Sequence, residues 1–118
     1  MYIQGFLLAV PEANRDAYIA MAERAAGVFK RHGVLEIMEA WEEDVADGKV
    51  TDFRMATKAQ EGEKIVFSWM VWPDKATADA CHAAMSTEPE MQEAFGEMPF
   101  DGMRMMWGGF TPVYTLGR

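Results

Sequence analysis

The chain is poor in cysteine, in histidine, in basic charge and in long apolar runs, and each shortage excludes something. A single cysteine, Cys81, stands among 118 residues. No internal disulfide can form, which fits a reducing, cytoplasmic compartment. The longest apolar run near the start is Phe6–Val10, far short of the roughly 20 residues a membrane-spanning helix needs. No basic region precedes that run and no small-residue cleavage site follows it, so no signal peptide is expected. Eleven basic residues face nineteen acidic ones, for a formal charge of −8 and a pI near 4.7. That balance repels a phosphate backbone. The densest basic group, Lys30-Arg31-His32, falls where a helix ends and complements its dipole. Neither nucleic acid nor membrane is expected as a partner.

Recognisable catalytic and metal patterns are also missing. Cys81-His82 is adjacent rather than at ligand spacing, and Asp79 with His82 at i, i+3 makes too small a metal site. The acidic run Glu42, Glu43, Asp44, Asp47 does not match a calcium loop. Ser68 lies outside any G-x-S-x-G elbow, so it has no support as a nucleophile. No metal and no cofactor is expected.

What the chain does have is a nine-residue stretch, Lys64–Trp72 (KIVFSWMVW), closed by Pro73-Asp74. Its β-branched and aromatic residues suit a pleated surface. Alternation sends Ile65, Phe67, Trp69 and Val71 one way and Val66, Ser68, Met70 and Trp72 the other. Both faces are apolar, the pattern of an interior strand. The other elements arrange themselves around it. Tyr2–Val10 reads as a first strand. From Asn14, an N-cap type of residue, to His32 runs the strongest helix, with Tyr18, Met21, Ala22, Ala25, Val28 and Phe29 on one face and Gly33 as its stop. Val34–Glu42 is a more polar strand, expected at an edge. Glu43–Glu63 is a polar excursion with a weak helical tract near Met55–Ala59. Asp74 caps a helix to about Met85, and Thr87-Glu88-Pro89-Glu90 fits a capping box opening a short further one. Met103–Thr115 reads as the last strand, where Gly108-Gly109 marks a bulge or a close backbone approach.

The order strand, helix, strand, strand, helix, strand is that of a ferredoxin-like α+β domain spanning residues 1–118, an antiparallel βαββαβ sheet with the helices on one face. Its other face keeps large apolar side chains. Leaving four of them in water costs about 6–12 kcal/mol, as much as a domain's whole stability of about 5–15 kcal/mol. A second copy is therefore expected there, as a two-fold homodimer.

Three segments carry a resemblance: FSW at Phe67–Trp69, DGKVTDF at Asp47–Phe53, and MPFDGMRMMWGGF at Met98–Phe110. Together they resemble the YbaA-like family of uncharacterised bacterial proteins, over essentially the whole chain. The resemblance implies membership of the dimeric α+β barrel superfamily, in which two sheets close a barrel. It brings no established activity. The superfamily includes cofactor-independent oxygenases, haem-degrading enzymes and isomerases, but the first-strand Asn of the haem degraders is absent, the only asparagine being Asn14.

Candidate ligand-binding residues follow from the chemistry available. Arg104, oriented by Asp101 three residues earlier, is a candidate anion anchor, with an ordinary ion pair as the structural alternative. Trp107, Ser68, Trp69 and Glu39 complete the set, and the eleven methionines suit an adaptable apolar pocket or plain gap-filling. Whether the protein is an enzyme stays open. The expected function is a homodimer holding a small organic ligand in an apolar interior, with a filled-barrel interaction protein as the alternative.

Overall fold

The computed structural model describes residues 1–117. Strand β1 (Tyr2–Pro11) is followed by a 3-10 turn and helix α1 (Arg15–Arg31). Strand β2 (Glu36–Trp41), the short helix α2 (Phe53–Thr57) and strand β3 (Glu63–Trp72) come next. Helices α3 (Lys75–Met85) and α4 (Pro89–Phe95), a 3-10 turn and strand β4 (Met106–Phe110) complete the order. The strands form one antiparallel sheet in the order β2-β3-β1-β4. β1 and β3 are central and β2 is an edge, as their polarity requires. Two short helices extend the six-element order: α2 between β2 and β3, where a weak helical tract is expected near Met55–Ala59, and α4, the short helix expected after α3.

Alternation decides the layers. Gln4, Phe6, Leu8 and Val10 of β1 stand across from Met70, Ser68, Val66 and Lys64 of β3, and this is the side α1 packs on. Leu8, Val10, Tyr18, Met21 and Val66 form one buried cluster. Phe29, Trp72, Ala78, Cys81 and Met91 anchor a second, which joins α1, α3 and α4 to the sheet. α1 buries Tyr18, Met21, Ala25, Val28 and Phe29, a one-sided stripe at helical spacing. Gly33 follows it at φ +100°, the left-handed conformation that ends a helix there. Asp74 accepts from the Thr77 backbone N–H at 2.7 Å and starts α3.

Several expectations are corrected. Asn14 caps nothing through its side chain. Its amide instead donates to the Pro99 carbonyl at 2.8 Å. α4 begins after Glu88, with Pro89 at its first turn and no side-chain cap, so Thr87 does not close a capping box. The last strand covers only Met106–Phe110: Asp101 accepts from the Met103 N–H at 3.0 Å and sets a 3-10 turn before it, and the chain leaves the sheet after Phe110. At the glycine pair the register with β1 runs on without a bulge. It is a close approach: a methyl on Gly109 would lie 1.7 Å from the Tyr2 hydroxyl oxygen.

The opposite sheet face is only partly covered. α2 shields its corner at Ala9 and Ile65, both almost fully buried, with Phe53 and Phe67 rings 6.3 Å apart. Met38, Phe67, Met106 and Phe110 remain 40–60 % exposed there. Among the described residues no helix is long and apolar enough to cross a membrane.

Candidate functional site

Two hollows flank the sheet, one on each side. On the helix side a cleft of about 520 Å³ opens between β1, β2 and β3 below and α1, α3 and α4 above. Its walls are aromatic and methionine-rich, including Phe6, Trp72, Phe95, Phe100, Met70 and Met105. Few polar side chains reach it. Gln4 is committed to the Trp72 indole, whose N–H donates to its Oε1 at 2.8 Å. His82 lies at one wall with its ring 5.1 Å from that of Trp107.

Gln92 of α4 also reaches the wall, and three further polar side chains form a constellation on three elements. Glu39 points from the edge strand to the helix side because it pairs with Ser68, which faces the same way. Tyr18, buried on α1, donates its hydroxyl to Glu39 Oε2 at 2.8 Å. As a residue Glu39 is exposed along the sheet edge, yet its carboxyl end lies inward against Tyr18 and Ser68. Burial there raises the Glu39 pKa above the ordinary carboxyl value, while the hydroxyls of Tyr18 and Ser68 pull it back down. Burial, reinforced by the Glu39 charge and the hydrogen bond, pushes the Tyr18 phenol far up, so it stays a donor. Burial likewise raises the Cys81 thiol and keeps it protonated. Among the described residues no group of three or more His, Cys, Asp or Glu comes together as a metal would need.

The C-terminal block supplies one wall of this cleft through Phe100, Met105 and Trp107. It is pinned at two points. Asn14 holds Pro99, and Arg104 grips Glu63 through two hydrogen bonds of 2.7 Å. Arg104 also donates to Asp101 at 3.0 Å and to the Lys58 carbonyl at 3.0 Å. The guanidinium beside them holds the Glu63 and Asp101 carboxyls below the usual range, and they raise Arg104 in turn.

On the other side of the sheet, the shallow concavity of about 890 Å³ is floored by Ile3, Leu7, Phe67 and Trp69 and edged by Tyr114 and Leu116. Trp69 donates to Glu36 Oε2 at 2.9 Å.

The family model described as "Protein of unknown function (DUF1428)" matches residues 1–102. The chain belongs to this family. Among its relatives is the uncharacterized protein YbaA of Escherichia coli strain K12, 54% identical over 113 residues, which cover 95% of this chain and 96% of that one. YbaA of Shigella flexneri matches to the same extent. The DUF1428 match takes in Tyr18, Glu39 and Ser68, while Trp107 lies beyond it. In this DUF1428 chain the six candidate residues fall in three places. Glu39 and Ser68 pair at one end of the cleft and Trp107 lines it from the far edge strand, Trp69 lies on the open face, and Arg104 with Asp101 clamps the turn that carries the cleft wall. Sequence reasoning placed Tyr18 on a buried helix face but missed its bond to Glu39. The signal was there: a buried tyrosine hydroxyl needs a partner.

Proposed function

We propose that this chain is a ferredoxin-like domain that pairs with a second copy as a cytoplasmic, dimeric α+β barrel and binds a small organic molecule in each helix-side cleft. The cleft itself carries the reading. Its volume of about 520 Å³ falls inside the roughly 300–1,000 Å³ range of small-molecule sites, and mostly apolar walls with a few convergent polar groups are what such sites have. Glu39, Ser68 and Trp107 are the ligand-contacting candidates. Arg104 and Asp101 serve by fixing the wall.

The pairing is supported by the open face. Phe67, Met106 and Phe110 stand 40–60 % exposed beside a tail whose Val113, Tyr114 and Leu116 are 82–97 % exposed. So much contiguous apolar surface marks an interaction site. The same side chains favour the filled-interior alternative for the barrel, since two copies of Phe67, Trp69 and Phe110 occupy the space between the sheets. The ligand then belongs in the cleft and not between the copies.

Native mass spectrometry of protein purified gently from its own host tests both parts. A dimer with a reproducible extra mass is expected, and Ala22→Phe, which fills the cleft, should lose that mass and stay dimeric. A dimer with nothing bound, or a mass that survives Ala22→Phe, overturns the cleft reading. A monomer overturns the pairing.

A further inference from the structure

The cleft's charge inventory limits what it can hold. No Lys or Arg is among the described residues that line it. The titratable side chains at its walls are Tyr18, Glu39, Cys81 and His82. A carboxylate, phosphate or sulfate ligand beside Glu39 would meet its carboxyl with no Lys or Arg to offset it, a like-charge contact. The Glu39 end of the cleft therefore does not favour an anion.

Glu39 has capacity to spare. An ionised carboxylate offers about four lone-pair sites. The Tyr18 hydroxyl takes one at 2.8 Å and the Ser68 hydroxyl acts as a second donor. An ammonium would neutralise the charge, but a second full charge would have to leave water for an apolar cleft. A hydroxyl adds a charge-assisted bond of the kind Tyr18 already makes, without that cost. The rings of Phe6 and Phe100 offer stacking surface on the same side of the cleft, Phe6 next to Ser68 and Phe100 against Tyr18.

We infer that Glu39 is the polar anchor of the cleft and that its ligand is an uncharged aromatic molecule whose hydroxyl donates to the Glu39 carboxylate. This inference rests on the cleft reading above, and its test separates the two. Three probes share one ring system and differ in charge: 1-naphthol, 1-naphthoate and 1-naphthylmethylamine. Isothermal titration calorimetry of the full-length protein should find naphthol binding at least about tenfold tighter than either other probe. Glu39→Gln keeps a carbonyl for Tyr18 but removes the charge, and it should weaken naphthol about tenfold, the size of one charge-assisted hydrogen bond. Equal binding of all three probes, or no change in Glu39→Gln, overturns the anchor and leaves the cleft standing. Tightest binding by the amine overturns the hydroxyl assignment. No binding of any probe overturns the cleft and the anchor together. The probe ranking needs no variant, so a misfolded Glu39→Gln leaves the test intact.

Discussion

Tyr2 lies across the backbone of Gly109, so that the nearest edge of β4 has no room for a side chain. Adding a methyl there forces the ring aside, and overpacking of this kind costs about 1–3 kcal/mol. Gly109→Ala should therefore lower stability by that amount in urea titrations, and the penalty should disappear in a Tyr2→Ala background. The Arg104 clamp makes a prediction of a different kind. Glu63 and Asp101 have folded pKa values held below their ordinary ones, so they bind fewer protons in the folded than in the unfolded chain. Their stabilisation is complete above the ordinary carboxylate range and is lost as pH falls through the depressed values. Denaturation midpoints measured from pH 7 to pH 3 should fall for the native chain from about pH 5 downwards. In Arg104→Met the curve should start lower at pH 7 and fall less steeply.

At the scale of elements, α4 matters out of proportion to its seven residues. Its Met91 is 1 % exposed and packs with Phe29 and Trp72. Met91→Ala should cost about 2–5 kcal/mol, read as a shift of the urea midpoint at constant slope. The elements that could be read from the sequence are those whose signals are local. α1 announces itself by periodicity, α3 by the Asp74 cap, and β3 by two apolar faces that alternate residue by residue. What could not be read depends on partners far along the chain. β4 starts late because Asp101 turns the chain and Arg104 reaches Glu63, 41 residues away. Asn14 looks like a cap and instead binds Pro99, 85 residues away. The cleft is harder still, because it is a gap between elements. Glu39 and Ser68 could be nominated one by one, but only the pairing of β2 with β3 sets them together under Tyr18.

The whole molecule is a sheet with unequal sides, one roofed by three helices and the other covered only at the corner under α2. Phe67, 49 % exposed at the centre of the open side, is the residue a second copy would cover. If the proposed pairing uses this face, Phe67→Asp should leave a folded monomer of about half the native particle mass in analytical ultracentrifugation at the same concentration. A variant that sediments like the native chain would rule out this face as the interface.

Trp69 and Trp72 belong to the same strand but look out from opposite sides of it, one into the open concavity and the other into the cleft wall. The sheet thus carries two natural fluorophores three residues apart in sequence, in separate optical environments. With the other tryptophans replaced by phenylalanine, emission from Trp69 would follow association of two chains, and emission from Trp72 would follow filling of the cleft. Titrated side by side, the two signals would reveal whether occupancy and assembly are independent or coupled.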